Sequence, residues 1–130
     1  MSASNDEQGS LNGVWQGLYS YPSMSEMVPF TATLVCAGDH VGGSAHETCM
    51  VAPGASATMT ALLDGARRSQ RIEFVKTYDG TGGWDHSVAY DGAINEDCTE
   101  IEGRWRVAGG LTGRFLMTRP DRKTRKSSVR

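Results

Sequence analysis

A chain of 130 residues, 38% hydrophobic and 22% charged, is long enough to bury one core and too apolar to be a disordered polymer. Its net charge of −2 is unevenly spread: the last twelve residues, RPDRKTRKSSVR, hold six of the 13 Lys and Arg, which leaves residues 1–118 with seven basic against fourteen acidic groups. An acidic body of this kind argues against a nucleic-acid partner.

Residues 1–11 (MSASNDEQGSL) are mostly polar and read as a flexible leader. Eight short segments then follow. They are GVWQGLYSYP (13–22), VPFTATLVC (28–36), VGGSAHETC (41–49), ASATMTALL (55–63), QRIEFVKTY (70–78), WDHSVAYDG (84–92), EIEGRWRV (100–107) and LTGRFLMTR (111–119). The connections between them, such as AGDH, DGARRS, DGTGG and AGG, are short and rich in Gly, Asp or Asn, which is hairpin chemistry. None of the segments has a helical period. ASATMTALL is the weakest strand, because Ala, Met and Leu also form helices. Eight strands joined by short turns predict an all-β, eight-stranded antiparallel up-and-down barrel over 12–119, with 120–130 as a basic flexible tail. A sandwich needs longer crossings.

Period-two alternation assigns the faces. Gly13, Trp15, Gly17, Tyr19 and Tyr21 share one phase in the first strand. Ile72, Phe74, Lys76 and Tyr78 share one in the fifth. Trp84, His86, Val88 and Tyr90 do so in the sixth, Ile101, Gly103, Trp105 and Val107 in the seventh, and Gly113, Phe115, Met117 and Arg119 in the eighth. Glycine alternating with aromatic residues suits the taper of a narrow barrel. In the third strand, Val41 inward carries Glu47 inward and His46 outward. Leu18 and Leu116 fall on the outer face of strands that meet on closure, which suits a homodimer contact.

GVWQGLY resembles the G-x-W opening of the calycin superfamily, which contains lipocalins, fatty-acid-binding proteins and avidins. In those proteins the first-strand Trp closes the barrel base and a basic residue of the last strand packs over it; Trp15 and Arg119 match these two roles. The blocks F-x-K-x-Y, H-x-V-x-Y-x-G, I-x-G-x-W and G-x-F-x-M-x-R, in that order over about 50 residues, also resemble small bacterial lipocalin-like domains. The resemblance implies a ligand-holding interior and no particular reaction. The chain departs from lipocalins in its shortness and in lacking a C-terminal helix, and from avidins in lacking their Trp-rich biotin site.

Lys76 stands in phase with residues that want burial. A lone buried ammonium costs several kcal/mol, so it needs a partner or water. Three arrangements answer this: the side chain snorkels to the barrel mouth, it pairs with Glu47 as part of the filling, or it meets a ligand. The predicted ligand-binding set is Tyr19, Tyr21, Glu47, Phe74, Lys76, Tyr78, His86, Tyr90, Trp105 and Phe115. The leading functional expectation is a small organic ligand, aromatic or anionic, bound inside the barrel. The alternatives are a cofactor-independent isomerase or cyclase, with Lys76, His86 and Glu47 as candidate acid–base groups, and a filled barrel with a structural or interaction role. Cys36, Cys49 and Cys98 have no metal-ligand spacing, and Cys36 and Cys49 are placed to face each other across a hairpin. No metal, cofactor, signal peptide or membrane span is expected, and free thiols suit a cytoplasmic protein.

Overall fold

The structure, a computed structural model, describes residues 9–22, 26–80 and 87–120. Eight strands close into one barrel in sequence order: β1 Gly13–Ser20, β2 Met27–Ala37, β3 His40–Ala52, β4 Ala55–Arg68, β5 Arg71–Tyr78, β6 Ser87–Ile94, β7 Glu100–Arg106 and β8 Thr112–Thr118. Every pairing is antiparallel, and β8 returns to β1 through Gln16↔Thr118 to Ser20↔Arg114. Closure leaves no unpaired edge strand. ASATMTALL is strand, as its place between two hairpins requires. The inward phases are those of the alternation, most clearly in β5, where Ile72, Phe74, Lys76 and Tyr78 are buried and their four neighbours exposed.

Three boundaries differ from the sequence reading. First, β4 runs on through DGARR to Arg68, because Asp64 to Arg68 pair with residues of β5; the turn is Ser69 and Gln70, with Ser69 at positive φ. Second, β3 runs on to Ala52, with a register shift between Met50 and Ala52 before the turn at Gly54. This long hairpin pairs Cys49 with Ala57 and Cys36 with Val41, so the two cysteines are not cross-strand partners. Third, the barrel takes in part of the leader: Leu11 is 1% exposed and packs into the core.

One end of the barrel is closed. Trp15, Leu34, Val41, Ile72, Ile101 and Met117 fill it without measurable exposure, each worth about 1.5–3 kcal/mol of apolar burial. Glycines make room where rings cross strands: a Cβ on Gly17 would lie 2.2 Å from the Phe30 ring. Across the base, the Arg119 guanidinium stands 4.3 Å from the centre of the Trp15 ring. Its Nε donates to the carbonyl of Cys98 at 2.8 Å, Nη1 to that of Asn12 at 2.8 Å, and Nη2 to that of Ser10. Trp15 Nε1 donates to the carbonyl of Leu11 at 2.9 Å, and Arg67 Nη1 to that of Gly9. Two arginines and a tryptophan therefore bind the segment before β1 through its carbonyls. On the outer wall Leu18 and Leu116 are direct cross-strand partners, Leu18 being exposed.

Arg119 joins a cation–π contact to three hydrogen bonds from one planar fork. Arg119→Ala is expected to lower the unfolding free energy by about 2–4 kcal/mol in urea melts. Arg119→Lys should recover less than half of that loss, because an ammonium cannot span three carbonyls. A loss below about 1 kcal/mol for the alanine variant would refute the role given to Arg119.

Candidate functional site

Between the closed end and the opposite mouth lies a buried polar cluster. It is made possible by a row of small residues across the wall: Trp15 pairs with Ala32, Ala32 with Ala45, Ala45 with Ala61, and Ala61 with Tyr78. Three consecutive alanines, all buried, leave space that longer side chains can enter. Lys76 on β5 and Glu47 on β3, with β4 between them, meet there. Lys76 Nζ lies 3.2 Å from Glu47 Oε1, with the residues 1% and 6% exposed. Lys76 does not snorkel to the mouth.

The rest of the cluster serves the same carboxylate. The Tyr19 hydroxyl donates to Glu47 Oε2 at 2.6 Å, and the Tyr78 hydroxyl to Oε1 at 2.9 Å. Four rings surround the Lys76 ammonium, with centres at 4.8 Å for Phe30, 5.0 Å for Tyr19, 5.1 Å for Tyr90 and 5.2 Å for Tyr78. Their negative faces supply the attraction that water would otherwise give. Burial pushes the Lys76 pKa down, and the charge and hydrogen bond of Glu47 oppose that shift. Burial also raises the pKa of Tyr19, Tyr78 and Tyr90, with the nearby Glu47 charge adding to the effect.

Above this cluster, away from the closed end, the barrel is hollow. A pocket of about 540 Å³ is lined by Tyr19, Tyr21, Tyr78, Val88, Tyr90 and Trp105, with Ser87, Val107, Ala108 and Leu111 at its rim. Tyr21 and Trp105 meet edge to face at 5.1 Å, and Trp105 Nε1 donates to the Ser20 carbonyl at 3.1 Å, which fixes the indole in the wall. Gly113 permits this, since a Cβ there would lie 2.5 Å from the Trp105 ring.

The ten residues expected to bind ligand therefore divide into groups. Tyr19, Tyr21, Tyr78, Tyr90 and Trp105 line the pocket together. Phe74 and Phe115 do not: Phe74 stacks on Tyr90 at 4.9 Å, Phe115 meets Tyr90 edge-on at 4.9 Å, and both belong to the packed core. Lys76 and Glu47 lie behind the tyrosines rather than on the pocket wall. His86 falls outside the described residues. Ser87, Val88, Val107, Ala108 and Leu111 line the pocket outside that set, Ser87 from the phase that alternation turns away from the interior. Val88 and Val107 carry the right phase but no polar signal, and Ala108 and Leu111 lie at a turn, where alternation says nothing. Among the described residues no group of His, Cys, Asp and Glu is arranged to hold a metal ion. No protein-family model matches the chain, and no curated protein matches it.

Two outcomes follow from the cluster. Glu47→Gln leaves the Lys76 ammonium uncompensated and is expected to cost about 3–5 kcal/mol, whereas Glu47→Gln/Lys76→Met should regain at least half of that; denaturant melts of both test it. The second outcome concerns pH. All four tyrosines of the chain lie in this site. With their folded pKa values raised above the unfolded value of 10.0, the folded state holds phenol protons that the unfolded state releases, so their contribution is complete below pH 10 and is lost above it. Lys76, with its folded pKa lowered from 10.5, works in the opposite direction as pH rises toward 10.5, but it is one group against several. Stability should therefore fall above about pH 10, with phenolate absorbance rising together with unfolding. Phenolate formation for all four tyrosines in the still-folded protein would contradict this.

Proposed function

We propose that this barrel holds one small aromatic molecule in the pocket at its open end, in the manner of a calycin. One observation carries the reading: the interior is packed at one end and hollow at the other, and five aromatic rings, of Tyr19, Tyr21, Tyr78, Tyr90 and Trp105, stand in the wall of the hollow part. A volume of about 540 Å³ is that of an ordinary small-molecule site, and ring edges and faces suit a flat aromatic guest. The Trp15–Arg119 closure of the base supports the calycin assignment that the G-x-W opening suggests.

Binding is favoured over an isomerase or cyclase by where the acid–base candidates stand. Lys76 and Glu47 satisfy each other beneath Tyr19 and Tyr78, and neither lines the space a substrate would occupy. A general base has to come within hydrogen-bond reach of the proton it removes.

N-phenyl-1-naphthylamine, an apolar fluorescent probe, is expected to bind with a stoichiometry of one and to quench Trp105. Ala108→Trp places an indole at the exposed rim of the pocket and should weaken this binding at least about tenfold with an unchanged melting temperature. Absence of binding to the unaltered protein, or equal binding by the blocked variant, would refute the pocket as the site.

A further inference from the structure

The pocket wall has an unequal supply of hydrogen-bond donors. A tyrosine hydroxyl has one proton to give and two lone pairs to receive with. The Tyr19 proton goes to Glu47 Oε2 and the Tyr78 proton to Glu47 Oε1, both away from the pocket. The Trp105 N–H goes to the Ser20 carbonyl. Ser87 Oγ shares a hydrogen bond of 3.2 Å with Thr77 Oγ1 at the rim. Three of the wall's polar hydrogens are thus committed before any guest arrives. The hydroxyls of Tyr21 and Tyr90, neither of which donates to Glu47, remain able to accept as well as donate.

Charge points the same way. None of the described residues lining the pocket is cationic. The nearest ammonium, Lys76, is enclosed by four rings and spent on Glu47. A carboxylate entering this pocket would lose its hydration and find no counter-ion among the described residues. A hydroxyl or N–H would find the phenol oxygens of Tyr19 and Tyr90.

We infer that the pocket selects an uncharged aromatic molecule carrying an O–H or N–H donor, such as a phenol, an aryl amine or an N–H heterocycle, and rejects aromatic carboxylates. The selectivity is set from behind the wall: Glu47 turns two phenol protons away from the guest, so Glu47 is a positioning residue for ligand specificity. This rests on the binding role proposed above and favours an aromatic guest over an anionic one.

The test uses three guests with one skeleton, measured by calorimetry at near-neutral pH. They are 2-naphthol, which donates; 2-methoxynaphthalene, which does not; and 2-naphthoate, which is anionic. The donor should bind at least about tenfold more tightly than either of the others. Naphthoate binding as tightly as naphthol, or methoxynaphthalene equalling it, overturns the selectivity while leaving the binding role intact. Binding of none of the three removes the binding role and the selectivity together.

Glu47→Gln/Lys76→Met, which keeps the interior neutral, reads the positioning role. The new amide accepts one tyrosine proton and donates to the other tyrosine oxygen, which frees a phenol proton to turn toward the pocket. The preference for naphthol over methoxynaphthalene should then narrow by about threefold or more. An unchanged preference in this variant, folded by circular dichroism, would overturn the role of Glu47.

Discussion

The charge on Lys76 has no route to solvent and has to be neutralised where it stands. Glu47 does this from two strands away, across the space left by Ala32, Ala45 and Ala61. A buried ion pair adds little stability in itself, because removing both charges from water cancels most of their attraction. What it adds is definition. Glu47 accepts from two tyrosines and an ammonium, so the positions of Tyr19, Tyr78 and Lys76 are fixed relative to one another. The four rings around the ammonium are held to the same point.

That fixed layer divides the barrel. On one side, aliphatic residues, Trp15 and the Phe74–Tyr90–Phe115 group fill the taper. On the other side the tyrosines turn their far edges to an open pocket. Tyr90 belongs to both halves, stacked on Phe74 below and exposed to the pocket above. The orientation of the Tyr19 and Tyr78 hydroxyls thus originates in an electrostatic requirement deeper in the barrel, and Lys76 and Glu47, which impose it, are not among the residues that line the pocket.

Alternation in the sequence was enough to place side chains inside or outside. It put Lys76, Tyr78, Tyr19 and Tyr90 in one interior, and it offered pairing with Glu47 as one of three arrangements for Lys76, the one that the structure shows. It could not supply height along the barrel axis. Phe74 and Phe115 have the same phase as Tyr78 and Trp105, yet they sit in the packed half, because depth is set by the stagger between strands and not by the period within one. Turn chemistry misled where a hairpin was long: Asp64, Gly65 and Ala66 look like a turn, but strand pairing on both sides keeps them extended. The open end was also hard to read, since Ala108 and Leu111 have no periodic signature and become wall residues only through the approach of β7 and β8.

The arginine closure at the base bears on the order in which this chain can assemble. Arg119 binds the carbonyls of Ser10 and Asn12, more than a hundred residues earlier. Arg67 and Trp15 can hold Gly9 and Leu11 earlier, but the segment before β1 gains its anchors at Ser10 and Asn12 only when the last strand arrives, and β1 itself has one open edge until β8 closes on it. Each hairpin from β2 to β7 can form from neighbouring sequence, whereas the ring is completed by the contact with the greatest loop-closure entropy in the molecule. On the ribosome, the first strand would wait for the eighth with its edge uncovered, and that exposed interval, rather than any weakness of the finished barrel, is where this topology is most open to mispairing.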